Sequence, residues 1–143
     1  MDKDPPHDLD RFKLAQTPVF ETVLRELRSG RKRSHWMWFV FPQMRGLGRS
    51  PAARHFGIAS LGEAQAYLAD PVLSERLRLA TEAVLSVEGR SLLEIFGSPD
   101  DQKFRSSMTL FAVASSEDPL FTQALQTCCD GVRDAQTLAL LNA

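Results

Sequence analysis

The chain has 143 residues, 43% of them hydrophobic and 24% charged, with a formal net charge of −1. That length fits one domain, and a domain of this size buries enough apolar surface to fold without a disulfide or a structural metal. Near-neutral charge excludes a global field that would select nucleic acid or a membrane, and no apolar run approaches the roughly 20 residues of a membrane span.

Residues 1–7 are mostly polar, hold two prolines and read as a flexible tail. Residues 8–143 then form a single α-helical domain. The start of the chain has neither the apolar run of a signal peptide nor the Arg/Ser bias of a transit peptide, so a cytoplasmic protein is expected. Residues 9–16 are a short helix candidate with Asp8 as N-cap. Val19, Phe20, Val23, Leu24 and Leu27 follow at three- and four-residue spacing, which is one helical face, and Gly30 ends it. Residues 34–43, SHWMWFVFPQ, hold both tryptophans and are expected to be the core element. The run is apolar on every side, as a helix buried all round would be. A strand buried on both faces reads similarly, and the helical neighbours favour helix. Pro42 would end it.

A capping residue precedes proline at Thr17-Pro18, Ser50-Pro51, Asp70-Pro71, Ser98-Pro99 and Asp118-Pro119. Proline suits the first helical position because its missing N–H had no partner there. These starts predict helices over residues 51–56, 71 to about 87, 99 to about 115 and 119–129. Ser60 with Glu63 has the spacing of a capping box opening a helix to residue 68. Residues 91–96 and 135–141 complete the set. No segment alternates as a half-buried strand would. The expected fold is all-α, one compact domain of about seven to eight short helices.

Cys128 and Cys129 are the only cysteines, and as neighbours they do not easily form an unstrained disulfide with each other. They read as packing thiols in a reducing compartment. No Cys/His group has zinc spacing, and neither metal nor cofactor is expected.

Between Arg25 and Arg54 lie eight basic residues and one acid, Glu26. The window is either a solvated face or an anion-binding surface. Within it, residues 42–51 carry Gly46 and Gly48, which free the backbone, and Ser50-Pro51, which opens a helix with a partly positive N-terminus. Arg45, Arg49 and Arg54 add cationic donors. The same features also describe a tight turn with a helix cap. His35 reads as a boundary residue or a base, and Trp36 and Trp38 as packing residues or a stacking wall. Further on, Lys103, Ser106 and Ser107 share a helical face, with Thr109 on a neighbouring one. That polar strip lines a cleft or wets a surface helix.

The candidate site is therefore His35, Trp36, Gln43, Arg45, Gly46, Gly48 and Arg49, faced by Lys103, Ser106 and Thr109. The expected partner is a small anion, a nucleotide or an ADP-ribose-like compound. The alternative is a protein-interaction module without a ligand pocket. Nucleic acid binding is disfavoured by the neutral overall charge. There is no GxSxG, HExxH or DxDxDG pattern, so no reaction is read from the chain.

Residues 8–12, 30–39, 41–43 with Gly46-Leu47-Gly48, 63–68, and Phe96-Gly97 with Asp101, Lys103 and residues 106–111 resemble domain of unknown function family 1810. The HWMWF…FPQ…GLG combination is specific, and the matches run in order across about residues 8 to 141. The resemblance implies a mostly α-helical single domain of bacterial origin, with no established catalytic residues. Members are sometimes labelled calpastatin. A calpain inhibitor is a disordered polar repeat, whereas this chain has a core-forming composition. Asp70 and Ser74 stand where the resemblance implies His and Gly.

Overall fold

The computed structural model describes residues 8–115 and 117–142; the expected tail, 1–7, lies outside them. Ten helices form among the described residues: α1 (Asp10–Gln16), α2 (Phe20–Arg28), α3 (Met37–Val40), α4 (Pro51–His55), α5 (Leu61–Ala69), α6 (Pro71–Leu85), α7 (Leu92–Phe96), α8 (Asp100–Ala114), α9 (Leu120–Cys129) and α10 (Ala135–Leu141). Seven are seven residues or longer, and no strand forms among the described residues. One isolated parallel bridge pairs Met44 with Ile58.

The helix starts use fewer proline caps than the sequence pattern implies. Ser50 and Asp70 do cap helices with proline in the first turn: Ser50 Oγ accepts from Ala53 N, and Asp70 accepts from the amides of Val72 and Leu73. At α2, α8 and α9 the residue at the N-cap is Val19, Pro99 or Pro119, with no side-chain cap. Ser60 accepts from Glu63 N, but the capping box expected there does not close. The Glu63 carboxylate takes the Ala59 amide at 2.9 Å and the Arg11 guanidinium at 3.1 Å instead. A complete box forms at Ser91 and Glu94, at the start of α7.

The centre of the packing is α8. Six consecutive residues from Ser106 to Phe111 are buried, because α5, α7, α9 and α10 pack around that helix. On a second layer α6 packs against α2, α5 and α9. The aromatic run contributes to this core without organising it as one long element. It makes a single four-residue turn, α3, with Trp36 outside the helix at φ −128° and Phe41 leaving it at φ −121°, ψ 74°. Pro42 forces the exit. At the entrance, Glu26 accepts from the amides of Arg33 and Ser34, the Ser34 hydroxyl and Trp36 Nε1, which holds residues 33–36 in a loop.

Trp36, Phe41, Phe96 and Phe104 then form one aromatic cluster joining α3, α7 and α8. Phe12, Tyr67, Phe111 and Phe121 form a second joining α1, α5, α8 and α9. Among the described residues no helix is long and apolar enough to cross a membrane.

Candidate functional site

A cleft opens where the segment between α3 and α4 faces the first half of α8. Gln43 anchors this segment through its backbone: its carbonyl accepts from Ile58 N at 2.9 Å, while Arg45 N donates to Ile58 O at 2.8 Å. The chain then turns at Gly46, whose φ of +106° is open to glycine at little cost. It closes onto α4 at Gly48, where a Cβ would lie 2.7 Å from the Ala53 Cβ. Only a residue without a side chain fits there, so Gly48 fixes the distance between loop and helix.

The cleft encloses about 570 Å³. Trp38, Gln43, Gly48, Arg49 and Ser50 line it from α3 and the loop, and Pro99, Gln102, Lys103 and Ser106 from the α8 side. Asp134 and Gln136 line it from the start of α10.

Its electrostatics centre on Lys103. The ammonium lies 4.7 Å from the Trp38 ring centroid and 3.2 Å from Asp100 Oδ1. The other oxygen of Asp100 is 3.0 Å from Lys32 Nζ, and Lys32 in turn lies over Trp36 at 5.2 Å. One carboxylate is thus shared by two ammonium groups, each resting on an indole face. One carboxylate between two ammonium groups leaves one positive charge unbalanced, and the indole faces steady both cations. Arg49 is exposed and makes no ion pair among the described residues. Ser106 is buried, and its hydroxyl donates to the Gln102 carbonyl at 3.1 Å.

The family model described as "Protein of unknown function (DUF1810)" matches residues 6–141. The chain belongs to this family. The crystal structure of the conserved hypothetical protein Rv1873 from Mycobacterium tuberculosis is similar to it at 55% identity, with a TM-score of 0.95 over 97% of this chain and 99% of that one. No curated protein matches the chain.

In this DUF1810 chain the cleft brings together five of the residues singled out in the sequence: Gln43, Gly48, Arg49, Lys103 and Ser106. The other five lie elsewhere. His35 is exposed and does not line the cleft. Trp36 is in the core, with its Nε1 donating to Glu26 Oε1 at 2.9 Å. Arg45 is exposed and donates to the Gly57 carbonyl at 3.3 Å. Gly46 serves the turn and lies against Leu140. Thr109 is fully buried behind the wall. Its hydroxyl donates to the Arg105 carbonyl at 2.8 Å and accepts from Asp134 N at 2.9 Å.

The helix start expected at Ser50-Pro51 is present, but it offers an anion little. The helix α4 is only five residues long, and the amide of Ala53 is taken by Ser50. The basic window is largely a solvated face: Arg25, Arg28, Arg31, Arg33 and Arg54 are exposed.

Sequence reasoning missed Gln102, Asp134 and Gln136 as cleft residues. It read Trp38 with Trp36 as packing or a stacking wall and named only Trp36 in the site, whereas Trp38 lines the cleft and Trp36 is buried. Asp134 had a weaker signal, an N-cap aspartate just before a helix with Thr137 three residues later.

The cysteines carry no reactive chemistry. Burial, followed by the neighbouring Cys129, pushes the Cys128 thiol up to about 11. Burial also raises Cys129, against the opposing pull of Arg105. Both remain protonated thiols at neutral pH, which makes them poor nucleophiles.

Proposed function

We propose that this DUF1810 protein binds a small phosphate-bearing organic anion, nucleotide or ADP-ribose-like, in the cleft between residues 43–50 and α8. The observation that carries the proposal is the convergence of Arg49 and Lys103 on one cavity, with Lys103 held against Trp38. Arginine pairs with phosphate as a planar fork and lysine as a point charge. A volume of about 570 Å³ lies within the range of small-molecule sites. The carboxamides of Gln43, Gln102 and Gln136 add hydrogen-bonding groups to a wall that also carries Trp38, Leu47 and Pro99. Free Cys128 and Cys129 fit a reducing, cytoplasmic compartment, where phosphorylated metabolites are held.

The alternative, a protein-interaction module, needs a contiguous apolar patch. Among the described residues the large apolar side chains that are exposed are Leu14, Val72 and Leu93, on three different helices, and Val132, in the connection between α9 and α10. The cleft is the feature that favours a ligand.

Thermal unfolding with inorganic phosphate, AMP and ADP-ribose tests the proposal. A ligand at 100 times its Kd adds about 2.7 kcal/mol of stability. Arg49→Ala and Lys103→Ala should each weaken binding roughly tenfold or more, the cost of losing a charged hydrogen bond. Arg45→Ala should leave it unchanged. No shift with any of the three compounds overturns the proposal, as does an Arg45→Ala loss equal to that of Arg49→Ala.

A further inference from the structure

A cleft that takes an anion through Arg49 and Lys103 also presents a carboxylate to it. Asp134 repels phosphate, yet the fold fixes it in place from two directions. Its amide is held by Thr109, which is itself tied to the Arg105 carbonyl of α8. Its Oδ2 accepts from the Thr137 amide at 2.9 Å and the Thr137 hydroxyl at 2.5 Å. That leaves Oδ1 without a hydrogen-bond partner among the described residues, on a half-buried side chain that lines the cleft. A carboxylate only accepts, so whatever meets it must donate. An ammonium would donate, but Lys103 and Arg49 in the same cavity disfavour a second cation. Hydroxyls fit both walls. They donate to Asp134, and they donate to or accept from the carboxamides of Gln43, Gln102 and Gln136, each of which does both.

We propose that Asp134 reads the hydroxyls of a phosphorylated sugar, its carboxylate accepting from a vicinal diol while Arg49 and Lys103 hold the phosphate. A carboxylate set against ribose hydroxyls is a recurring solution in nucleotide sites. The assignment makes the ligand a sugar phosphate or nucleotide with an intact diol, and it makes Thr109 a positioning residue. It rests on the anion-binding reading of the same cleft.

The test compares AMP with its 2′,3′-dideoxy analogue by calorimetric titration. The wild-type protein should bind AMP roughly tenfold tighter or more, because a site built for a hydroxyl rejects the analogue that lacks it. Asp134→Asn keeps one acceptor oxygen for the helix cap and loses the second, so it should reduce that preference without weakening the dideoxy compound. Asparagine caps a helix as well as aspartate does, so α10 is retained. Thr109→Val should reduce the preference through Asp134 alone, and Thr109→Ser, which keeps the hydroxyl, should restore it. Failure of the wild type to bind either nucleotide overturns this inference, and it overturns the anion-binding reading too when inorganic phosphate and ADP-ribose also give no shift. Equal binding of both, weakened for both by Arg49→Ala, keeps the first and overturns the second. So does an Asp134→Asn protein whose preference for AMP is undiminished.

Discussion

Beneath residues 31–36 the carboxylate of Glu26 accepts four hydrogen bonds on a residue only 8% exposed. Burial alone would raise its pKa. The Ser34 hydroxyl, the amides of Arg33 and Ser34 and the Trp36 indole outweigh burial and bring it from 4.5 down to about 2. A carboxylate whose folded pKa is depressed stabilises the fold fully above its unfolded value. That stabilisation is lost as pH falls from 4.5 toward 2. The displacement corresponds to about 3 kcal/mol.

Glu26→Gln should therefore cost about 2 kcal/mol at pH 7, and the gap from wild type should shrink as the pH drops through that window. Urea unfolding at several pH values measures it, and carboxylates common to both proteins cancel in the difference. A gap independent of pH would show that the charge on Glu26 is not what holds the loop. In the sequence Glu26 is visible as the lone acid among eight basic residues. Its inward turn is not visible, because that depends on amides seven and eight positions away folding back over it.

At the scale of elements, the contact between Gly48 and α4 sets the width of the cleft mouth. Gly48→Ala puts a methyl 2.7 Å from the Ala53 Cβ, and neither group can rotate away. The loop must shift, at a cost of about 1 to 3 kcal/mol. Ala53→Gly in the same chain removes the obstacle and should recover part of that loss, despite glycine's own cost of about 1 kcal/mol in a helix. Thermal unfolding of the two single variants and the double variant tests this, and strict additivity would rule the contact out.

Most helices were legible from their capping-residue and proline starts, with apolar periodicity beside them, because these signals act locally. The aromatic run 36–41 was not. Its pattern says only that it is buried, and whether it coils for one turn or three is decided by Pro42 and by Glu26 at its two ends. The candidate site was half legible for a related reason. Gln43, Gly48 and Arg49 sit in one loop that could be read as a unit. The convergence of Lys103, Ser106 and Asp134 on that loop comes from long-range packing around α8.

The whole molecule is closed by polar clamps as well as by its aromatic clusters, and these tie the first helix to distant parts of the chain. Gln16 donates to the Phe39 carbonyl at 2.7 Å and to the Tyr67 hydroxyl at 3.0 Å, and it accepts from Arg76. Lys13 pairs with Asp70 at 2.6 Å, so Asp70 has a structural task here in addition to capping α6. Arg11 reaches furthest into the protein. Its guanidinium pairs with Glu63 at 3.1 Å and donates to the carbonyls of His55 and Gly57, with side-chain exposures of 8% for Arg11 and 5% for Glu63.

A buried pair of this kind adds little net stability over an apolar replacement, but breaking it leaves a charge stranded. Glu63→Gln keeps an acceptor for the Ala59 amide and removes only the charge, and it should cost about 3 to 5 kcal/mol. That is a large share of the 5–15 kcal/mol typical of a folded domain. Arg11→Met keeps most of the side-chain volume and removes the guanidinium that pairs with the Glu63 carboxylate. The double variant lacks both members of the pair, so its loss should be clearly smaller than the sum of the two. Because the pair is shielded from solvent, its coupling should also change little between low and high salt. Chemical denaturation of the four proteins at two salt concentrations measures both quantities. Additive losses, or a coupling that vanishes in salt, would mean that the Arg11–Glu63 pair does not help to hold α1.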